Sequence, residues 1–211
     1  MPSAYCNRAI AIATQEWQRF GGQVRALNGH LAPDGHEETE EPFSTTINSY
    51  WRAVNPSSSL TGKDVNVPWS AAFISYVMTQ ADQGTPKAFR VARAHRSYIR
   101  WAIDNRLNAV PGARFIGWPL PLRVIEPGDI IGKFRENDDD SIEGMTYDEA
   151  AVTTKSYGAH CDLVVAVNGQ VADVIGGNVS DSVTKTQLRL NLDGTLPGSP
   201  TSWFVAIQAL L

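Results

Sequence analysis

Apolar residues follow a helical period in the first half of this chain and a strand-like pattern in its last third. In the first half they recur at spacings of three and four, which predicts helices at 8–20, 42–54, 71–81 and 88–103. After Pro127 short apolar runs alternate with turn residues, which predicts strands at 129–134, 159–167, 170–175, 182–192 and 203–210. The dipeptide Asn168-Gly169 between two of them is a strong hairpin signal. Helices followed by strands favour an α+β fold, with N-terminal helices packed on a C-terminal antiparallel β-sheet.

The sequence predicts one domain over residues 1–211, with two polar loops. A chain of 211 residues that is 43% apolar can bury a substantial core as a single domain. Residues 23–41 and 135–158 are polar and have no clear period, so we expect both to be loops. The second loop contains the acidic group Asp138-Asp139-Asp140, which lacks the ligand spacing of a calcium loop. A loop of this length is usually functional, as a lid or as a docking site for a partner, or else disordered.

Composition argues against several classes of function. A net charge of −4 and a pI of about 5.5 argue against a nucleic-acid binder, which normally carries a basic stripe. No stretch approaches about 18 consecutive apolar residues, so we expect no stable insertion into a membrane. Residues 1–20 lack the residue order of a signal peptide, so we expect synthesis in the cytoplasm without one. Cys6 and Cys161 form neither a disulfide framework nor a metal-ligand spacing, and no cofactor is predicted.

Ser70 lies where a loop turns into an apolar helix, in the segment Pro68-Trp69-Ser70-Ala71-Ala72-Phe73. Pro68 disfavours helical dihedrals at the residue before it, so the helix should begin close to Trp69, with Ser70 at or near the N-cap. In one interpretation the Ser70 hydroxyl simply caps the helix. In the other it is a nucleophile at the positive end of a helix, where the dipole and free N–H groups favour a developing anion.

Four segments together carry a family resemblance. They are Pro68-Trp69-Ser70-Ala71-Ala72-Phe73-Ile74-Ser75-Tyr76-Val77, Glu126-Pro127-Gly128-Asp129-Ile130-Ile131, His160-Cys161-Asp162-Leu163-Val164-Val165 and Val174-Ile175-Gly176-Gly177-Asn178-Val179. In this order they resemble the nucleophile helix, the "PGD" strand opening, the catalytic-histidine strand and the next strand of the NlpC and CHAP cell-wall hydrolases. These papain-like enzymes usually carry Cys in the place of Ser70. Glu16-Trp17 and residues 94–99 look more specifically like a bacterial subfamily of unassigned function that carries Ser there.

The resemblance implies a papain-like NlpC/CHAP fold and a catalytic mechanism. Ser70 would attack a carbonyl carbon, while His160 would remove the hydroxyl proton and later protonate the leaving amine. Asn178 or Asp173 would orient the imidazole of His160. Asp162 is a further candidate for this role, because residues i and i+2 of a strand share a face.

Other side chains are candidates at the same site. Cys161 is an alternative nucleophile, although strand alternation turns it towards the core if His160 faces the active site. Trp69, His95 and Tyr98 are predicted to bind substrate. His95 is either a structural histidine or a residue of the cleft beside the nucleophile, and Tyr98 lies one turn later on the same helix face.

The resemblance also implies a function, namely a peptidoglycan hydrolase that cleaves stem-peptide amide bonds as an endopeptidase or amidase. Without an export signal, such a protein fits an antibacterial effector that a type VI secretion machine injects into the periplasm of a rival, or a phage lysin. Its expected partners are peptidoglycan fragments, an immunity protein and a component of the secretion machine. Two alternatives stay open, because fold does not fix substrate and a hydroxyl is a poorer nucleophile than a thiolate. They are a hydrolase of another ester or amide, such as a lipid or an acylated protein, and a catalytically inert wall-binding module.

Overall fold

The computed structural model describes residues 2–82, 87–136 and 142–211. The helices in these residues are α1 (Ala4–Arg19), α2 (Phe43–Val54), α3 (Ser70–Ala81), α4 (His95–Leu107) and α5 (Tyr147–Val152). The strands are β1 (Val24–Arg25), β2 (Leu31–Ala32), β3 (Phe115–Pro119), β4 (Ile130–Phe134), β5 (Ala159–Asn168), β6 (Val171–Val179), β7 (Ser182–Arg189) and β8 (Trp203–Ala209). These elements confirm the predicted α+β class. None of the described helices has the length and apolar character that crossing a membrane requires.

The described strands form one sheet in the order β2-β1-β7-β6-β5-β4-β8-β3. Neighbouring strands are antiparallel except β1 and β7, which run parallel. The prediction of a purely antiparallel sheet is therefore wrong at one edge. There the predicted loop 23–41 contains β1 and β2, and Gln23 holds β1 beside β7. Its backbone carbonyl accepts a hydrogen bond from the Lys185 N–H, and its side-chain oxygen accepts one from the Thr184 hydroxyl.

Other elements also differ from the sequence prediction. The helix predicted at 88–103 begins only at His95, because Ala94 has extended backbone dihedrals. β3 lies in a segment where no strand is predicted, and it pairs along its whole length with β8. The predicted loop 135–158 contains the short helix α5. A capping box between Thr146 and Glu149 stabilises the N-terminus of this helix. The acidic group at 138–140 lies outside the described residues.

Helix α3 lies in the core and packs on α1, α2, β5 and β6. Its side chains Phe73 and Met78 are at most 1% exposed. Strand β6 approaches the start of α3 closely because residue 177 is glycine. A Cβ atom on Gly177 would lie 2.5 Å from Cζ3 of Trp69 and 2.6 Å from Cβ of Phe73. The N-terminal end of α3, where Ser70 lies, is thus held against the sheet.

Candidate active site

Ser70 and His95 are the first residues of α3 and α4, and their side chains meet. Ser70 Oγ lies 2.7 Å from His95 Nε2, and both residues are buried. The N-cap positions belong to Trp69 and Ala94, and neither side chain makes a cap hydrogen bond. The interpretation of Ser70 as a simple helix cap is therefore wrong. Its hydroxyl bonds His95 rather than the predicted partner His160.

A second hydrogen bond fixes the ring of His95. Its Nδ1 bonds the hydroxyl of Tyr98, one turn later in α4, and that hydroxyl also bonds the thiol of Cys161 in β5. Two assignments of protons satisfy every bond. In the one that leaves Nε2 as the acceptor, Ser70 donates to Nε2, Nδ1–H donates to the Tyr98 oxygen, and Tyr98 donates to the sulfur. This tautomer leaves the Nε2 lone pair of His95 directed at the serine hydroxyl, as a general base requires.

His95 is neutral near pH 7. Burial lowers the pKa of its imidazole well below the usual 6.5, and the charges of His160 and Arg135 lower it further. Both causes act in the same direction, because a desolvated ring and nearby cations each disfavour the protonated form. The imidazole of His95 therefore stays available as a proton acceptor below pH 6.5.

Cys161 does not have the properties of a nucleophile. The residue is fully buried, and burial raises the pKa of its thiol although the hydrogen bond with Tyr98 lowers it. A thiol that stays protonated at neutral pH reacts slowly, since the thiolate is the reactive form. Its sulfur instead packs close to Gly132 of the neighbouring strand. The structure favours Ser70 over Cys161 as the nucleophile of this site.

His160 and Asp162 form a second buried pair, in which Nε2 lies 2.7 Å from Oδ1. The prediction that the two residues share one face of their strand is thus confirmed. Burial opposes ionisation of Asp162, but the charge and hydrogen bond of His160, helped by Lys133, lower the pKa of the carboxyl overall. The ring centroids of His160 and His95 are 5.4 Å apart. The two pairs therefore belong to one site.

Gly176 in β6 makes room for the second pair, since a Cβ atom there would lie 1.8 Å from Asp162 Oδ1. We expect Gly176→Ala to lower the free energy of unfolding by about 1–3 kcal/mol, the usual cost of overpacking. Urea denaturation measures this loss. In an Asp162→Ala background the same change should cost less, because the carboxylate with which it collides is gone. Equal losses in the two backgrounds would contradict this explanation of the glycine.

The other predicted orienting residues have different outcomes. Asn178 lines the same cavity as His160, but among the described residues the His160 side chain is hydrogen-bonded to Asp162. Asp173 pairs with a position of β5 six residues beyond His160, a separation of about 20 Å at the usual rise of a strand. Its carboxylate accepts a hydrogen bond from Gln187. The prediction of Asp173 as an orienting residue is therefore wrong, because its place in β6 lies far from the imidazole.

A cavity of about 280 Å³ is lined by Ser70 and His95. Three arginines also line it: Arg93, Arg96 and Arg135. A neighbouring cavity of about 410 Å³ is lined by His160 and Asn178, and Arg135 borders both cavities. The described residues contain no group of three or more His, Cys, Asp or Glu side chains that could hold a metal ion.

Two of the residues predicted to bind substrate lie in the core instead. Trp69 is 1% exposed, and its Nε1–H donates to Glu38 Oε2 over 2.5 Å. Tyr98 is fully buried and bonds His95. Neither side chain lines the cavity, so they position Ser70 and His95 rather than contact a ligand. The third predicted residue, His95, does line the cavity.

All the residues of both pairs fall within a region that a protein-family model matches. The family is described as "Uncharacterized protein conserved in bacteria (DUF2272)", and the match covers residues 33–202. The chain belongs to the DUF2272 family. No curated protein and no solved structure matches this DUF2272 chain.

The sequence of the DUF2272 chain does not predict the three arginines of the cavity or the bond between Ser70 and His95. A local signal for two of the arginines exists, since the segment Arg93-Ala94-His95-Arg96 has one arginine before the histidine and one after it. The bond between Ser70 and His95 has no such signal. It depends on how two helix starts, 25 positions apart, meet in the folded chain.

Proposed function

We propose that this DUF2272 protein is a serine hydrolase that cleaves amide bonds in the stem peptides of peptidoglycan. The observation that carries the proposal is the 2.7 Å hydrogen bond between Ser70 Oγ and His95 Nε2 in the wall of a cavity. A neutral imidazole that accepts the proton of a serine hydroxyl is the usual means of activating this weak nucleophile. The helix N-terminus at Ser70 adds a positive potential where negative charge would develop.

In the first half of the reaction Ser70 Oγ attacks the carbonyl carbon of the amide while His95 Nε2 takes the hydroxyl proton. The oxyanion forms beside the start of α3, where Ala71 lines the cavity and no side chain caps the free N–H groups. The C–N bond then breaks, and His95 gives its proton to the leaving amine. In the second half His95 takes a proton from water, which attacks the carbonyl carbon of the acyl ester. The bond between that carbon and Ser70 Oγ then breaks, the acid leaves, and His95 returns its proton to Ser70 Oγ.

The His160–Asp162 pair supports this reaction through its charge. Nε2–H of His160 donates to the carboxylate of Asp162, which fixes the orientation of the ring. The ionised carboxylate of Asp162 also favours positive charge in the buried region that the two imidazoles share. His160 is the alternative general base, since the resemblance to papain-like hydrolases assigns it that role.

The choice of substrate follows from the resemblance to the NlpC and CHAP cell-wall hydrolases. Packing of the helix that carries Ser70 on the strand that carries His160 supports a papain-like fold. The same resemblance makes the protein an antibacterial effector that acts in the periplasm or cell wall of a target bacterium. An immunity protein and a component of a type VI secretion machine are its partners in this proposal.

Digestion of purified peptidoglycan tests the proposed function. We expect the protein to release new amino groups from the wall with time, and mass spectrometry of the fragments to identify the amide that is cut. Parallel incubations contain phospholipid vesicles and a nitrophenyl ester. If the protein hydrolysed only the vesicles or the ester, the proposal of a wall substrate would be wrong, and the proposal that the protein is a hydrolase would stand. If no substrate were hydrolysed, both proposals would be wrong, and the alternative of a catalytically inert wall-binding module would be favoured.

A further inference from the structure

We infer that Arg93, Arg96 and Arg135 form an anion-binding subsite that holds a carboxylate of the substrate next to Ser70. This inference rests on the proposed function and narrows it to substrates that carry a free carboxylate close to the bond that is cut. The charge of the cavity wall and the two helix starts that meet there support it.

The cavity beside Ser70 is positively charged in a chain that is acidic overall. The chain carries 22 Asp and Glu against 18 Lys and Arg, yet the cavity lining has three arginines and no acidic residue among the described residues. None of the three arginines has an ion pair within the described part of the chain. By contrast, Arg100 of α4 pairs with Asp104 at 2.8 Å. Guanidinium groups that have no carboxylate partner in the protein can bind one from a ligand.

Two helix N-termini add to this positive potential. Helices α3 and α4 begin at Ser70 and His95, which both line the cavity. Neither helix has a side-chain cap, so its first N–H groups are available to an anion. The dipoles and the guanidinium groups act on the same small volume. A carboxylate fits this volume, because it supplies the negative charge that the guanidinium groups require and two oxygens that accept hydrogen bonds from them.

Calorimetry with non-hydrolysing Ser70→Ala protein tests this subsite. The probes are two synthetic stem peptides that differ only in their carboxyl groups, which are free in one and converted to carboxamides in the other. We expect the acidic peptide to bind at least about ten-fold more tightly, the effect of one charge-assisted hydrogen bond. Arg96→Gln and Arg135→Gln should each reduce this preference, and the triple variant with Arg93→Gln should remove it. Arg189→Gln, the same charge change on β7, should leave it intact.

The outcomes separate this inference from the proposed function. Equal affinity for the two peptides, or a preference that survives in the triple variant, overturns the carboxylate subsite whether or not the protein cuts the wall. A preference that the arginine variants remove, in a protein that does not hydrolyse peptidoglycan, supports the subsite and contradicts only the proposed hydrolase. Raising the NaCl concentration should lower the affinity for the acidic peptide and leave the affinity for the carboxamide peptide unchanged, because salt screens partly exposed charges.

Discussion

Replacing Ser70 with alanine is expected to lower kcat on peptidoglycan by at least about a thousand-fold, the scale of losing a catalytic nucleophile. The change removes only the oxygen that attacks the carbonyl, and alanine fits the first turn of a helix well. Loss of one buried hydrogen bond to His95 should cost the fold about 1 kcal/mol. The initial rate of amino-group release and a urea denaturation curve measure the two effects separately.

A second buried serine provides the matched control for this variant. Ser44 in α2 is fully buried, and its hydroxyl has no hydrogen-bond partner among the described residues. We expect Ser44→Ala to keep the wild-type rate, since it removes the same hydroxyl group at a residue that lines neither cavity of the site. A Ser70→Ala protein that is folded and retains a tenth or more of the wild-type rate would exclude Ser70 as the nucleophile.

The start of α3 and the position of Ser70 could be predicted because their causes are local. Pro68 restricts the residue before it, and the residues that follow are mostly apolar, so a buried helix begins within one residue of Ser70. The hairpin between β5 and β6 is local in the same way, although its turn lies at Gly169 and Gln170, one residue later than the Asn168-Gly169 pair predicts. That His160 and Asp162 share a face follows from strand alternation, although the sequence does not choose Asp162 over Asn178 and Asp173 as the partner.

The partner of Ser70 could not be predicted, because its cause is tertiary. His95 reaches Ser70 only because Ala94 is extended, which makes the histidine the first residue of α4. A helix beginning at residue 88, as the sequence pattern predicts, would place His95 in mid-helix instead. Burial of Trp69 is tertiary as well, since its ring packs against Phe20, Tyr50 and Phe73.

The two histidines are expected to differ in their contribution to the rate. His95→Gln should lower kcat by about a thousand-fold, within the usual range for a general base. His160→Gln should lower it by only about ten-fold, because Ser70 bonds His95 and the ring of His160 lies 5.4 Å from that of His95. KM should change little in either variant. Steady-state rates on a soluble stem peptide measure these differences.

A larger loss of kcat in the His160 variant than in the His95 variant would assign the role of general base differently. If His160→Gln and Asp162→Asn each abolished turnover while His95→Gln reduced it slightly, the general base would be His160. Ser70 would then have to leave His95 when substrate binds, and the bond in the free protein would be a resting arrangement. Near-complete loss in both histidine variants, without a change in stability, would contradict the supporting role given to His160.

The pH dependence of kcat/KM provides an independent test of His95 as the base. Catalysis needs its neutral form, and burial, His160 and Arg135 hold the pKa of this imidazole well below 6.5. As the pH falls, the rate should therefore stay level through pH 6.5 and decline only at lower values. Arg135→Gln removes a nearby positive charge, which raises the pKa of His95 and should move the decline to higher pH. If this decline keeps its position in the arginine variant, the titrating group is one that Arg135 does not influence, and His95 is not the base.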